Sequence, residues 1–300
     1  MSSSSDGAQT DDRWLDWLLR GRDAGQAEVR DRSLTFLQPI YERVVEGARI
    51  EAGDTILEVG AGEGRLGLLA LQAAGSSGRL LLTDISASIV QHLRTELHPH
   101  LGDHISILQS AAESLMGVPD ESVDAVLVRS VLIYSPNRPA AFEAFARVLK
   151  PGGRFSLFEP LWTFFPNPAE GDFFGRDLSH VSDEARTVLQ GYQVAPGSST
   201  GLSVSAPSLI SAAESAGFGA IRAVVEADSA PFEPGDDAVV EQALNGRPNP
   251  NAPSAAELAS TLLTADQSRR FLAELEAAVR AGRGRARTAA LYLTADKPRL

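Results

Sequence analysis

Four glycines, Gly60, Gly62, Gly64 and Gly67, fall within eight residues directly after the apolar run Ile56, Leu57 and Val59. Glycine lets the chain turn tightly and lets a ligand approach main-chain N–H groups, which carry partial positive charge at a helix start. Gly62, Gly64 and Gly67 keep the G-x-G-x-x-G spacing of a dinucleotide site, which asks for an acidic residue about twenty positions on to hold a ribose. Asp84 stands there, and a carboxylate can accept hydrogen bonds from two ribose hydroxyls. The same residues also suit plainer work. Glycines at a strand–helix turn allow close packing, and Asp84 ahead of Ser86-Ala-Ser is a fair helix cap.

A chain of 300 residues with 43% apolar content can bury a sizeable core. It has no run of eighteen apolar residues, so no membrane partner is expected. Residues 1–11 open a polar, acidic stretch unlike a secretory signal and are read as a disordered tail. The absence of cysteine removes disulfides, thiolate metal sites and thiol nucleophiles, and fits a cytoplasmic location. A net charge of −12 repels phosphate backbones, so nucleic acid is not expected as a partner. The four arginines of Arg280–Thr288 read as a helix C-terminus and a glycine turn rather than a basic patch.

The elements that would position the glycines alternate. Strands are read at 55–59, 79–84, 105–109, 124–128 and 154–159, with helices after Gly64, around Ile89–Leu97 and at Ala140–Leu149. The Lys-Pro-Gly-Gly at 150–153 reads as a helix stop and turn. A helix at Ser208–Ala216 and strands at 220–225 and 288–293 resume the pattern, and a further helix is expected at Thr264–Arg280. This rhythm implies an α/β, doubly wound, mostly parallel sheet whose ligands bind beyond the carboxyl ends of its strands. The expected division is a helical N-terminal lid at 12–49, a cofactor-binding core at 50–160, an acceptor-pocket insert at 161–204, and the rest of the core at 205–300 with a helical insert at 232–284.

With this framework, Glu58-Val-Gly-Ala-Gly-Glu-Gly64 resembles the E-x-G-x-G-x-G stretch of class I S-adenosylmethionine-dependent methyltransferases. Leu82-Thr-Asp-Ile85, Pro119–Val128 and Arg147-Val-Leu-Lys-Pro-Gly-Gly-Arg-Phe155 match further segments of that family in order and spacing. The resemblance covers residues 35–160 well, and the strands near 220 and 290 more loosely. It implies a seven-stranded Rossmann-like sheet, S-adenosylmethionine as cofactor and S-adenosylhomocysteine as product. Gly60, Gly62 and Gly64 would cradle the methionine end, and Glu58 would orient its ammonium group directly or through water. Asp84 would hold the ribose, with Ile85 on the adenine and the backbone near Ala111 and Ala112 at the adenine edge. Ala111 departs from the family, because the aspartate many relatives carry there is missing. Arg129 and Ser130 would lie beside the methionine moiety.

Methyl transfer needs a base only where the acceptor arrives protonated. Tyr134, Glu159 and His180 follow strand ends on the cofactor side and are the candidate catalytic residues; Glu159 would serve equally to cap local backbone. His98, His100 and His104 fall in an expected loop away from that side, and no metal is assigned. Trp162, Phe165 and Phe173 would line a pocket for a small-molecule acceptor, with Trp14 and Trp17 closing over it; a homodimer contact competes for the two tryptophans. The pattern including 129–134 and 156–160 is similar to bacterial methyltransferases of secondary metabolism. An NAD(P)-dependent oxidoreductase and a non-methylating or regulatory protein of the same fold are the alternatives.

Overall fold

The computed structural model describes residues 12–162, 164, 170–194 and 204–299. Five strands, β1 (Thr55–Val59), β2 (Arg79–Asp84), β3 (Ile105–Gln109), β4 (Val123–Arg129) and β5 (Leu149–Pro160), lie parallel in the order β3-β2-β1-β4-β5. A small hairpin of β6 (Asp172–Phe173) and β7 (Arg176–Asp177) stands apart. The last two strands, β8 (Gly219–Pro231) and β9 (Arg285–Asp296), complete a seven-stranded sheet, β9 running antiparallel between β5 and β8. The expected mostly parallel, doubly wound sheet is present. Its antiparallel β9 departs from the 3-2-1-4-5-6 order of dinucleotide-binding sheets.

Side-chain alternation along each strand builds a core on either face. Ile56, Leu80, Leu82, Ala125 and Leu127 pack beneath α2 (Ala27–Ala48), α3 (Arg65–Ala74) and α4 (Ala87–Leu101). Leu57, Val59, Val126 and Val128 face the other way, toward α5 (Arg138–Val148) and α7 (Ala206–Ser215). Ahead of α2, the short α1 (Trp14–Asp16) runs into a wider helical turn, Trp17–Gly21. Among the described residues no helix is long and apolar enough to cross a membrane.

The two inserts share one core. Phe173, Val181 and Val188 pack with Leu258, Phe271 and Leu275. They come from the hairpin, the turn Ser179–Val181 and α6 (Ser182–Val194) on one side, and from α9 (Ala255–Leu262) and α10 (Ala265–Arg280) on the other; α8 (Asp237–Asn245) joins through Val240. Capping boxes start α9, through Ser254 and Glu257, and α10, through Thr264 and Gln267. Much of 161–204 mixes aromatics with Pro, Gly and Ser and shows no strong period. Yet Ala185, Val188, Leu189 and Tyr192 repeat at helical spacing along α6, and that stripe meets its partners only through an insert some seventy residues later.

Two local expectations need correction. Lys-Pro-Gly-Gly at 150–153 lies inside β5: Leu149 pairs with Val123 and Arg154 with Ala125, so the chain bulges without leaving the sheet. The helix after β2 continues through Pro99, so His98 and His100 are helical rather than in a loop. His104 follows in a short turn, its Nδ1 3.1 Å from the Gly78 carbonyl oxygen.

Gly47 sets how closely α2 approaches the sheet. A Cβ there would lie 2.7 Å from the Ser156 hydroxyl oxygen and 2.8 Å from a Thr294 methyl. Gly47→Ala gains about 1 kcal/mol of helix propensity, but overpacking costs about 1–3 kcal/mol. Denaturant unfolding is expected to show net destabilisation of up to about 2 kcal/mol on that balance; a stabilised variant would mean the helix shifts freely.

Candidate active site

Parallel pairing brings the C-terminal ends of β1, β2, β3 and β4 to one edge: Val59 sits beside Thr83 and Val128, and Asp84 beside Gln109. The strand order reverses between β1 and β4, which leaves a crevice there. Gly60 turns away at φ +67°, and a Cβ would fall 2.3 Å from a Val131 methyl, so only glycine fits. The Gly62 N–H donates to Asp84 Oδ2 at 3.1 Å, and the Ser86 N–H donates to Asp84 Oδ1 at 3.0 Å. Asp84 is nearly buried. Burial raises its pKa above the usual value, against those two hydrogen bonds, and the charge of Asp12 adds to the rise.

A cavity of about 930 Å³ opens from this edge. Gly60, Gly62, Asp84, Ile85 and Ala112 line it at the sheet, with Arg129, Ser130 and Tyr134 beyond β4. Trp14, Trp17, Trp162 and Phe173 also line it, as do Phe174, Tyr192, Gln242 and Arg247 from the inserts and Phe36 from α2. Ile85, Phe36, Trp162 and Phe174 are at least half exposed, so apolar side chains are open to a ligand. Trp14 stands edge-on to Tyr134 and to Trp17, and Phe174 is edge-on to Phe173 and Tyr192. Both tryptophans therefore face inward.

The N-terminal segment crosses the cavity and is tied at both ends. The Asp12 carboxylate accepts from the Ser86 hydroxyl at 2.8 Å and the Ser88 N–H at 2.9 Å, at the start of α4. At the other end, Trp17 Nε1 donates to the Arg247 carbonyl at 2.7 Å, and the Arg247 N–H to the Gly21 carbonyl at 3.0 Å. Leu18 lies over Gly62, 3.6 Å from where a Cβ would sit.

Several expected site residues lie off the cavity. Glu159 is fully buried: its Oε1 accepts from the Val131 and Leu132 N–H groups, both at 2.8 Å, and its Oε2 from Ile133 at 3.3 Å. Of its two expected roles it has the backbone-capping one, and its oxygens are not free to serve as a base. His180 is exposed in a turn before α6 and away from the lining, because the insert folds back on its own core. Gly64 caps α3 at φ +74° against Leu82, Leu93 and Leu97, and Ala111 also lies outside the lining. Phe165 falls outside the described residues.

Glu58 points behind the glycine turn. Its Oε2 accepts the Gly67 N–H at 2.8 Å, satisfying a donor in the first turn of α3. There it borders a space of about 10 Å³, near the size of one water, shared with Arg129 and Tyr41. Tyr134 remains in the cavity; its hydroxyl has no hydrogen-bond partner among the described residues, and burial, with the charge of Glu159, pushes its pKa up to about 12. Sequence reading missed Phe36, Tyr192, Gln242 and Arg247, which belong to no motif and reach the cavity only through tertiary packing.

Residues 57–157 match the sequence model of the methyltransferase domain family. The ubiquinone/menaquinone biosynthesis C-methyltransferase UbiE of Hahella chejuensis is 34% identical over 116 residues, 38% of this chain and 46% of that protein. The aklanonic acid methyltransferase DauC of a Streptomyces species is 28% identical over 127 residues, 42% of this chain and 57% of that protein. The chain thus spans about half the length of these curated relatives. The YcgJ protein of Bacillus subtilis shares the fold, with a TM-score of 0.54 at 17% identity, over 87% of this chain and 98% of that one. Residues 57–157 are thus similar to a methyltransferase domain, and the surrounding sheet has the fold of the YcgJ protein.

Burial raises Glu58 from 4.5 to about 8, against the Gly67 hydrogen bond and the Arg129 charge. A folded value above the unfolded one means this contribution to stability is full below 4.5 and is lost as pH rises through about 8. Glu58→Gln keeps an acceptor for the Gly67 N–H and cannot ionise. Denaturant unfolding from about pH 5 to pH 9 is expected to show a flatter decline for this variant; an unchanged slope would place the decline in another group.

Proposed function

We propose that the protein transfers a methyl group from S-adenosylmethionine to a small, largely apolar acceptor held by the aromatic walls of the inserts. The observation that carries this reading is continuity: a single cavity joins the glycine turn and Asp84 to Trp14, Trp162, Phe174 and Tyr192. The residues at the sheet suit the cofactor, with bare glycine backbone at Gly60 and Gly62 lining the cavity and a nearly buried carboxylate at the end of β2. Backbone at Gly60 and Gly62 would receive the methionine end, beside Arg129 and Ser130. Glu58 would act on its ammonium group through a water in the space behind the turn. Asp84 would accept from the ribose hydroxyls, Ile85 would cover the adenine, and the chain at Ala112 would meet its edge.

When bound, the cofactor supplies an electrophilic methyl group on a sulfonium. The protein's part is then alignment: the walls place the acceptor's nucleophilic atom in line with the methyl–sulfur bond and exclude water. Tyr134, kept protonated, would donate a hydrogen bond that orients an oxygen of the acceptor. Neither Glu159 nor His180 reaches the cavity, which favours an acceptor whose proton is acidic enough to leave to solvent. The relatives' names, ubiquinone and menaquinone biosynthesis in one case and aklanonic acid in the other, fall in the same class of acceptor.

Thermal unfolding with S-adenosylhomocysteine, S-adenosylmethionine or NADH tests the reading. At a hundred times its dissociation constant a ligand adds about 2.7 kcal/mol of stability. A shift with the two sulfur nucleosides and none with NADH is expected. Asp84→Ala removes charge-assisted hydrogen bonds worth about 1.5–3 kcal/mol each, so calorimetric affinity for S-adenosylhomocysteine should fall about tenfold to a hundredfold or more. Undiminished affinity in that variant, or a shift with NADH alone, would overturn the assignment.

A further inference from the structure

Strand β8 ends the sheet and pairs on one side only, with β9. It is thirteen residues long, and every side chain from Val225 to Pro231 is exposed. Among the described residues, no other strand pairs with its outer edge, and no residue of β8 lines the cavity. Such an edge offers a row of N–H and C=O groups to another strand, and many proteins guard against this with charges. The charges on β8 are arranged differently.

Two copies of one strand that pair antiparallel about a two-fold axis must present the same alternate set of N–H and C=O groups, so one residue faces its own copy. A bulge interrupts β8 between Gly219 and Arg222, and the register centred on Val225 pairs the regular stretch from Arg222 to Asp228 with its own copy. Arg222 of each copy then faces Asp228 of the other, twice over by symmetry. Both are exposed, and neither has an ion-pair partner among the described residues. On the opposite side Val225, 40% exposed, faces Val225, and Ala223 faces Ala227, so an exposed apolar row is covered.

Neighbouring registers are poorer. Centring on Val224 sets Arg222 against Glu226, whose carboxylate is already paired with Arg43. Centring on Glu226 places two glutamates face to face, which is destabilising. The geometry points to a two-fold dimer of this chain, joined edge to edge through β8 in the register centred on Val225.

Sedimentation equilibrium on the full chain tests this, with hydrogen exchange on the β8 amides as the second readout. The wild-type chain is expected to dimerise and to protect alternate amides of β8 as concentration rises. Arg222→Asp puts like charges opposite each other at two symmetric positions and should raise the dissociation constant about tenfold. Arg222→Asp with Asp228→Arg restores opposite charges and should recover the dimer. An unchanged thermal midpoint in each variant shows that folding is intact. A wild-type chain that stays monomeric, a dimer indifferent to Arg222→Asp, or a folded double variant that stays monomeric would each overturn the proposal.

Discussion

Parallel strands end in loops whose N–H groups have no strand to bond to, and a buried N–H without a partner is costly. In this protein three buried carboxylates resolve that constraint. Glu58 takes the Gly67 N–H at the start of α3; Asp84 takes those of Gly62 and Ser86; Glu159 takes three in a row from Val131 to Ile133. Each carboxylate comes from β1, β2 or β5; Glu58 reaches the first turn of α3, and Asp84 and Glu159 reach loops of the same edge. The rim of the cavity is therefore held by charges placed where the strands stop.

Holding that many charges out of water perturbs them. Burial pushes Glu58 to about 8 and Glu159 to about 7, against the hydrogen bonds each accepts. Raised carboxylate values in a cleft often mark an acid or base. At Glu159 the geometry gives another account, because its oxygens are engaged with backbone. The rise there comes from burial alone, while the hydrogen bonds that oppose it anchor the segment that carries Tyr134.

Around that rim, the N-terminal segment and the inserts close the cavity. The N-terminal segment is tied by Asp12 to α4 and by Trp17 to Arg247, so it couples the sheet to the inserts. The inserts have a core of their own around Phe271 and Leu275. Cavity-lining residues such as Phe174 and Tyr192 can thus vary without disturbing the packing under the sheet.

The sequence by itself determined the sheet and the cofactor edge. Strand alternation, the glycines from Gly60 to Gly67 and Asp84 are local patterns, since each depends on residues within a few positions or on a repeated strand–helix unit. Tertiary structure decided the rest. That α6 pairs with α9 and α10, that Glu159 anchors a backbone segment instead of facing an acceptor, and that Phe36, Gln242 and Arg247 share one wall all depend on contacts between residues far apart in the chain. No local period encodes which apolar stripe meets which, because side-chain packing chooses partners by shape and burial once the elements have formed.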